Sequence, residues 1–320
     1  MAPSITPTRP AQPAKTGWRD PLSRVPAPLL LGVAIVSVQV GAGFAARLFG
    51  TVPVAGITGL RLWAACLLLV AFGGRAAGRT VRGIVVERAW RDAAIVVAFG
   101  LTLGVMNFAI YQSFARIPLG IAVTIEFLGP LGVAVATSRR LIDLLWVALA
   151  AIGVTLLGTA GVGVATFDGV SHGGSVLAGV AYALVAAASW ACYIMLSSAT
   201  GKRFSGSSGL VIAIVIGALV ITPVAVASAG ASLIRPAVLA AGLLIGLASS
   251  VVPYRFELEA LRRVPARVFG IWMSLEPAVA ALVGVVLLSQ RLSVLQWLAI
   301  VCVMAATAGA AFGAASAPQA

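Results

Sequence analysis

Apolar residues run along this chain in ten stretches of about twenty, divided by short polar separators. They cover 28–50, 54–73, 93–115, 117–137, 141–163, 174–198, 209–229, 236–260, 264–288 and 293–314. A helix needs about twenty apolar residues to cross a hydrocarbon layer ~30 Å thick, and each stretch has that length. The pattern predicts an all-α membrane protein with ten transmembrane helices. Residues 1–27 break the pattern. They are rich in Pro, Ala and Thr, carry Arg9, Lys15, Arg19 and Arg24, and lack an apolar core. They read as a disordered cytoplasmic tail rather than a cleavable signal, and 315–320 as a short C-terminal tail.

Two stretches are weak copies of each other. Ile117-Pro118 leads to Glu126 and Gly129-Pro130; Val264-Pro265 leads to Glu276-Pro277, and the prolines are twelve residues apart in both. Ser138-Arg139-Arg140-Leu141 and Ser289-Gln290-Arg291-Leu292 then precede Trp146 and Trp297 by the same distance. The chain therefore divides into units 28–163 and 174–314, joined by an extracytoplasmic linker 164–173. Each unit holds five helices, an odd number, so the second enters the membrane upside down. Inverted repeats of this kind rock a central site between the two faces of a membrane in many secondary transporters.

With 61% hydrophobic and 10% charged residues, the composition suits a bilayer and not a water-soluble surface. The formal net charge of +13 does not imply nucleic acid. With the N-terminus cytoplasmic, sixteen of the 22 basic residues fall in inside segments and four (Arg47, Arg116, Arg235 and Arg291) in outside loops. That is the positive-inside bias, and an even number of spans puts both termini in the cytoplasm. Cys66, Cys192 and Cys302 lie singly in apolar runs and read as packed hydrophobes. One histidine, His172, cannot build a metal site. Gly41-Ala42-Gly43 lies in a membrane run with no strand before it, and Gly206-Ser207-Ser208-Gly209 has no nearby base. Nothing indicates ATP hydrolysis, a metal enzyme or any cofactor.

The chemistry lies in the acids. A carboxylate inside hydrocarbon costs several kcal/mol unless it is protonated, paired or wetted. Glu126 is about 12 Å beyond Pro118 along a helix, and Glu276 about 16 Å beyond Pro265 on a helix of opposite direction, so both come near the midplane. The adjacent prolines remove backbone donors: Pro130 frees the Glu126 carbonyl and Pro277 that of Met273. Freed carbonyls at this depth need protein or a water-filled cavity beside them. Glu126 is the expected proton-coupling acid, since a proton and a substrate ammonium competing for one carboxylate have their fluxes coupled in opposite directions. Glu276 and Glu257 are expected to bind substrate or shape the field, with Asn107, Tyr111 and Trp272 as polar and aromatic walls. Arg61 faces either a substrate carboxylate or a buried acid. On the eighth span Arg255 and Glu259 stand four residues apart and can pair on one helix face. Gln112, Ser189, Trp190, Tyr193 and Ser274 offer further polar or aromatic groups.

Asn107-Phe108-Ala109-Ile110-Tyr111, Ile117-Pro118-Leu119-Gly120, Glu126-Phe127, Gly129-Pro130-Leu131 and Ser138-Arg139-Arg140 carry a family resemblance, together with Pro253-Tyr254, Glu257, Phe269-Gly270, Met273-Ser274 and Glu276-Pro277. The chain resembles the bacterial threonine/homoserine exporter group of the EamA-type drug/metabolite transporter superfamily over nearly all of 28–314. The resemblance implies two inverted five-helix units in the inner membrane and proton-linked efflux of small amino acids. Arg255 and Gln290 depart from it, standing where a small polar residue and an acid are expected. The expected partners are a small solute, protons and the lipid bilayer, with a homodimer left open. Efflux of another metabolite or an organic cation is the alternative, and a membrane scaffold a more distant one.

Overall fold

The structure, a computed structural model, describes residues 25–137, 142–161, 166–167, 170–171, 175–204 and 207–314. Most of the expected N-terminal tail, His172, Ser138-Arg139-Arg140, Gly206 and the C-terminal tail lie outside the described residues.

Helix α1 (Ala27–Arg47) leads through a 3₁₀ turn (Leu48–Gly50) into α2 (Val54–Val86), followed by α3 (Trp90–Phe114). The fourth span consists of α4 (Leu119–Glu126) and α5 (Leu128–Thr137), and α6 (Asp143–Ala160) is the fifth. The second half runs α7 (Val176–Arg203), α8 (Ser208–Ala229), α9 (Pro236–Gly246), α10 (Val252–Leu261), α11 (Ala266–Met273), α12 (Glu276–Leu288) and α13 (Val294–Ala314). Among the described residues ten helical spans are long and apolar enough to cross a membrane. Between the halves a two-rung antiparallel ladder pairs Thr166 with Ser171 and Phe167 with Val170.

Two spans are broken, as the helix-breaking prolines Pro130 and Pro277 lead one to expect. At Phe127 the backbone tightens (ψ −13°) and its N–H still reaches the Val123 carbonyl at 3.0 Å, but Pro130 has no donor for Glu126. The ninth span breaks at Ser274 and Leu275, and Leu275 N–H closes a shorter turn onto Trp272 O at 3.0 Å. Pro118 and Pro265 instead stand just before the first turns of α4 and α11, where a missing N–H costs nothing. A third irregularity carries no proline at its centre: α9 and α10 are joined by a π-helical turn, Leu247–Val251.

Helix α2 runs well past the expected end at residue 73. Gly73 and Gly74 look like breakers, yet a Cβ at Gly73 would meet Val211 at 2.9 Å, so the glycine serves close packing on α8. Beyond it Arg75, Arg79 and Arg82 fall at helical spacing on the membrane-emergent extension.

Packing follows small residues, because lipid tails are as apolar as any side chain and association depends on close backbone approach. Helices α3 and α8 meet at Gly104 and Gly217, where a Cβ would come within 3.2 Å of the opposing backbone. Helix α4 crosses α12 at Gly120, 2.6 Å from Ala281 Cα by the same measure. Several contacts have a counterpart in the other half: α3 packs on α7 as α10 does on α1, and α12 packs on α1 as α5 does on α7. Helices α2 with α8 and α6 with α13 pair across the halves, as do the fourth and ninth spans through α4 and α12.

Candidate functional site

The breaks in the fourth and ninth spans and the π turn in the eighth surround one cavity of about 610 Å³, within the range of small-molecule sites. It reaches from mid-bundle toward the end where α5, α10 and α13 finish and α11 begins, as Ala134, Leu261, Ala311 and Phe269 on its wall indicate. At the opposite end Ile117 and Leu119 are fully buried.

Glu126, Glu257 and Glu276 all line this cavity, although they come from three spans. Glu126 ends α4, and Glu276 opens α12 with only 7% of its surface exposed. Glu276 lies close enough to interact electrostatically with both other carboxylates, and Glu126 with Arg61. The acids are not equivalent in the repeat. With Pro118 aligned on Pro265, Glu126 falls on Met273 and Glu276 on Gly129. Gly129 cannot carry a side chain, because its Cβ would lie 2.1 Å from the Ala187 carbonyl oxygen of α7.

Arg61 lines the same cavity. It donates through one terminal nitrogen to Asn107 Oδ1 and through the other to the Ser249 carbonyl at 3.3 Å, within the π turn. Asn107 in turn donates to Leu103 O at 2.8 Å, which fixes its oxygen toward the guanidinium. The guanidinium carbon sits 5.2 Å from the centre of the Tyr111 ring. Of the two neighbours proposed for Arg61, a buried acid is not the one it meets: no carboxylate comes within ion-pair distance of it among the described residues.

Other expected residues go elsewhere. Trp272 packs on the cluster of Ala27, Leu30, Leu31 and Ala260 and does not line the cavity. Its position, one residue before the cavity-lining Met273, turns it through about 100° of helix. Gln112 accepts from Arg116 at 2.7 Å, and Ser274 donates to its own Ile271 carbonyl at 2.6 Å. Glu259 is bridged by Arg263 and by Arg262 at 3.2 Å, so its ion pairs are formed with the turn after α10. Trp190 and Tyr193 do line the cavity, Trp190 edge-on to Phe127 at 4.9 Å between ring centres. Tyr193 adjoins Tyr254 and Glu257. Sequence reasoning missed Gln39 and Ser249, both on the wall and both buried. The sequence offered no signal for Ser249, since serine in an apolar run most often bonds its own helix.

A group of three or more metal-ligating residues does not occur among the described residues.

The EamA-like transporter family matches residues 177–312. The threonine/homoserine exporter RhtA of Salmonella typhimurium (strain SL1344) is 36% identical over 297 residues, covering 91% of this chain and 93% of the exporter. The protein of the same name from Escherichia coli (strain K12) is 37% identical over 287 residues, covering 88% and 90%. A solved structure described only as the crystal structure of a protein aligns with a TM-score of 0.56 at 18% identity, over 88% of this chain and 95% of that one, a likeness of fold alone.

Proposed function

The chain belongs to the EamA-like transporter family and is a multi-pass transporter of the bacterial inner membrane, not an enzyme; on that footing we propose that it exports threonine, homoserine and similar small amino acids in exchange for protons. The observation that carries this reading is the meeting of Glu126, Glu257 and Glu276 in one mid-bundle cavity at broken helices. Scaffolding has no use for three intramembrane acids, whereas a carrier of protons and ammonium groups does.

The units are 28–163 and 174–314, inverted relative to each other, with both termini cytoplasmic. Support comes from the paired proline motifs, from helix contacts that exchange when the halves are exchanged, and from the basic residues at one end of the bundle. The cavity then opens to the cytoplasm, the side from which an exporter loads. Glu126 alternates between proton and substrate ammonium, so the two cannot leave together. Glu276 and Glu257 hold the ammonium in the cavity's field, and Asn107, Tyr111 and Trp190 wall the solute.

Proton-driven uptake of labelled threonine into inverted membrane vesicles tests the reading. The intact protein should show uptake that follows the gradient, and Glu126→Gln should lose that dependence. Unchanged pH dependence in Glu126→Gln would overturn the coupling role. Three acids also suit an organic cation, and competition by cations against neutral amino acids separates the two substrates.

A further inference from the structure

We infer that Arg61 is the docking point for the substrate's carboxylate, so that the transporter selects zwitterions and rejects amines that lack an acid. The inference rests on the amino-acid reading above and deepens it.

A guanidinium inside a membrane protein is costly to keep charged unless an anion meets it. Arg61 lines the cavity, yet its charge is met by neutral groups only: Asn107 Oδ1, the Ser249 carbonyl and the Tyr111 ring face. Its Nε is buried and has no hydrogen-bond partner. Glu126, the acid that feels its charge, lies outside ion-pair distance. The groups around Arg61 fix it in place without neutralising it.

Two further donors lie beside it. The hydroxyls of Tyr111 and Ser249 lie within reach of each other, and neither has a further hydrogen-bond partner among the described residues. A guanidinium edge with a free Nε–H and the adjoining hydroxyl pair forms a donor set for a carboxylate, which takes up to four hydrogen bonds on two oxygens. The π turn makes the arrangement possible, because it lets the Ser249 carbonyl turn out to hold the guanidinium.

The carboxylates of the same cavity complete the recognition. An α-amino acid carries an ammonium and a carboxylate a few ångströms apart, and the one cavity presents both three acids and Arg61. A monoamine meets the acids but leaves Arg61 unneutralised, so it forfeits that contact. The site discriminates by an unpaired buried charge, the strong form of specificity.

The test measures labelled threonine uptake into inverted vesicles, with unlabelled threonine, threonine amide and 1-aminopropan-2-ol as competitors. The intact protein should be inhibited by threonine at concentrations at least about tenfold lower than by the other two. Arg61→Gln should raise the threonine KM by about tenfold or more and bring the three competitors within about twofold of one another; Arg61→Lys should restore part of the difference. Tyr111→Phe and Ser249→Ala provide the same readout in milder form if Arg61→Gln does not reach the membrane. Equal inhibition of the intact protein by threonine and its amide, or an unchanged preference in Arg61→Gln, overturns the inference. If the intact protein takes up no threonine, the exporter reading fails instead. Thermal stabilisation of the purified protein by amino acids against their amides then decides the carboxylate claim, and equal stabilisation overturns it.

Discussion

The side-chain oxygen of Gln290 accepts the backbone N–H of Leu119 at 3.0 Å, tying the turn after α12 to the first turn of α4 across 171 positions of sequence. Leu119 is one of the helix-start donors that its own helix cannot satisfy. Gln290 reaches it because Ser289 takes a left-handed conformation (φ 54°) and Gln290 N–H closes back onto Gly284 O at 3.0 Å. The contact ties two spans together at the end of the bundle away from the cavity mouth. Replacing Gln290 by Leu leaves the buried N–H unsatisfied at a cost of about 1–3 kcal/mol, and thermal unfolding in detergent should occur correspondingly lower. Gln290→Glu keeps an acceptor at a helix N-terminus and should lose less.

Gly129 and Gly132 lie one turn apart on α5 and should respond in opposite ways. A Cβ at Gly129 meets the Ala187 carbonyl of α7, which is backbone and cannot swing aside, whereas a Cβ at Gly132 meets nothing within 4 Å. Gly129→Ala should destabilise by about 1–3 kcal/mol through forced separation of α5 and α7. Gly132→Ala should be neutral or mildly stabilising, by up to about 1 kcal/mol. Unfolding midpoints of the two variants provide the comparison.

The cavity mouth can be located by labelling. Cys66 is buried, and Cys192 and Cys302 lie within membrane spans, so the native thiols should react little with a membrane-impermeant maleimide. Ala311→Cys lies on the cavity wall near the end of α13 and should label in inverted vesicles, more slowly with threonine present. Ile117→Cys, at a fully buried position at the sealed end, should stay unlabelled. The reverse pattern would place the opening on the other face.

Glu126 and Glu276 should separate kinetically. Glu276 opens α12 and stands three residues away from the repeat position of Glu126, so the two meet the solute at different heights. Glu276→Gln should raise the KM for threonine while uptake still follows the pH gradient. Glu126→Gln should flatten the response to the gradient. Uptake measured across a series of imposed gradients distinguishes the variants.

How far the sequence could be read differs between the scaffold and the site. Ten spans, their approximate limits and the acids at depth were legible, as were the proline pairs that mark the two broken spans. The breaks after Glu126 and Met273 were legible too, from the carbonyls that Pro130 and Pro277 free, whereas the π turn of the eighth span was not, since no proline stands at its centre. Trp272 illustrates another limit. In a helix apolar on every side nothing in the pattern tells the cavity face from the packed face, since lipid and protein neighbours are equally apolar. The length of α2 was hidden by Gly73 and Gly74, whose purpose appears only when α8 is packed against them.

By itself the sequence determined that this chain lives in a bilayer, how many times it crosses and which acids lie at depth. Each of these depends on transferring one segment from water to hydrocarbon, a local sum over about twenty residues. Only the tertiary structure decided that Glu126, Glu257 and Glu276 share a cavity, that Trp272 does not, and that Arg61 is held by Asn107, Tyr111 and Ser249 without an acid. Those outcomes depend on the rotation and register of each helix against its neighbours, set by contacts such as Gly120 on Ala281 and Gly129 on Ala187, where backbones touch and no hydrophobic sum along the chain records it.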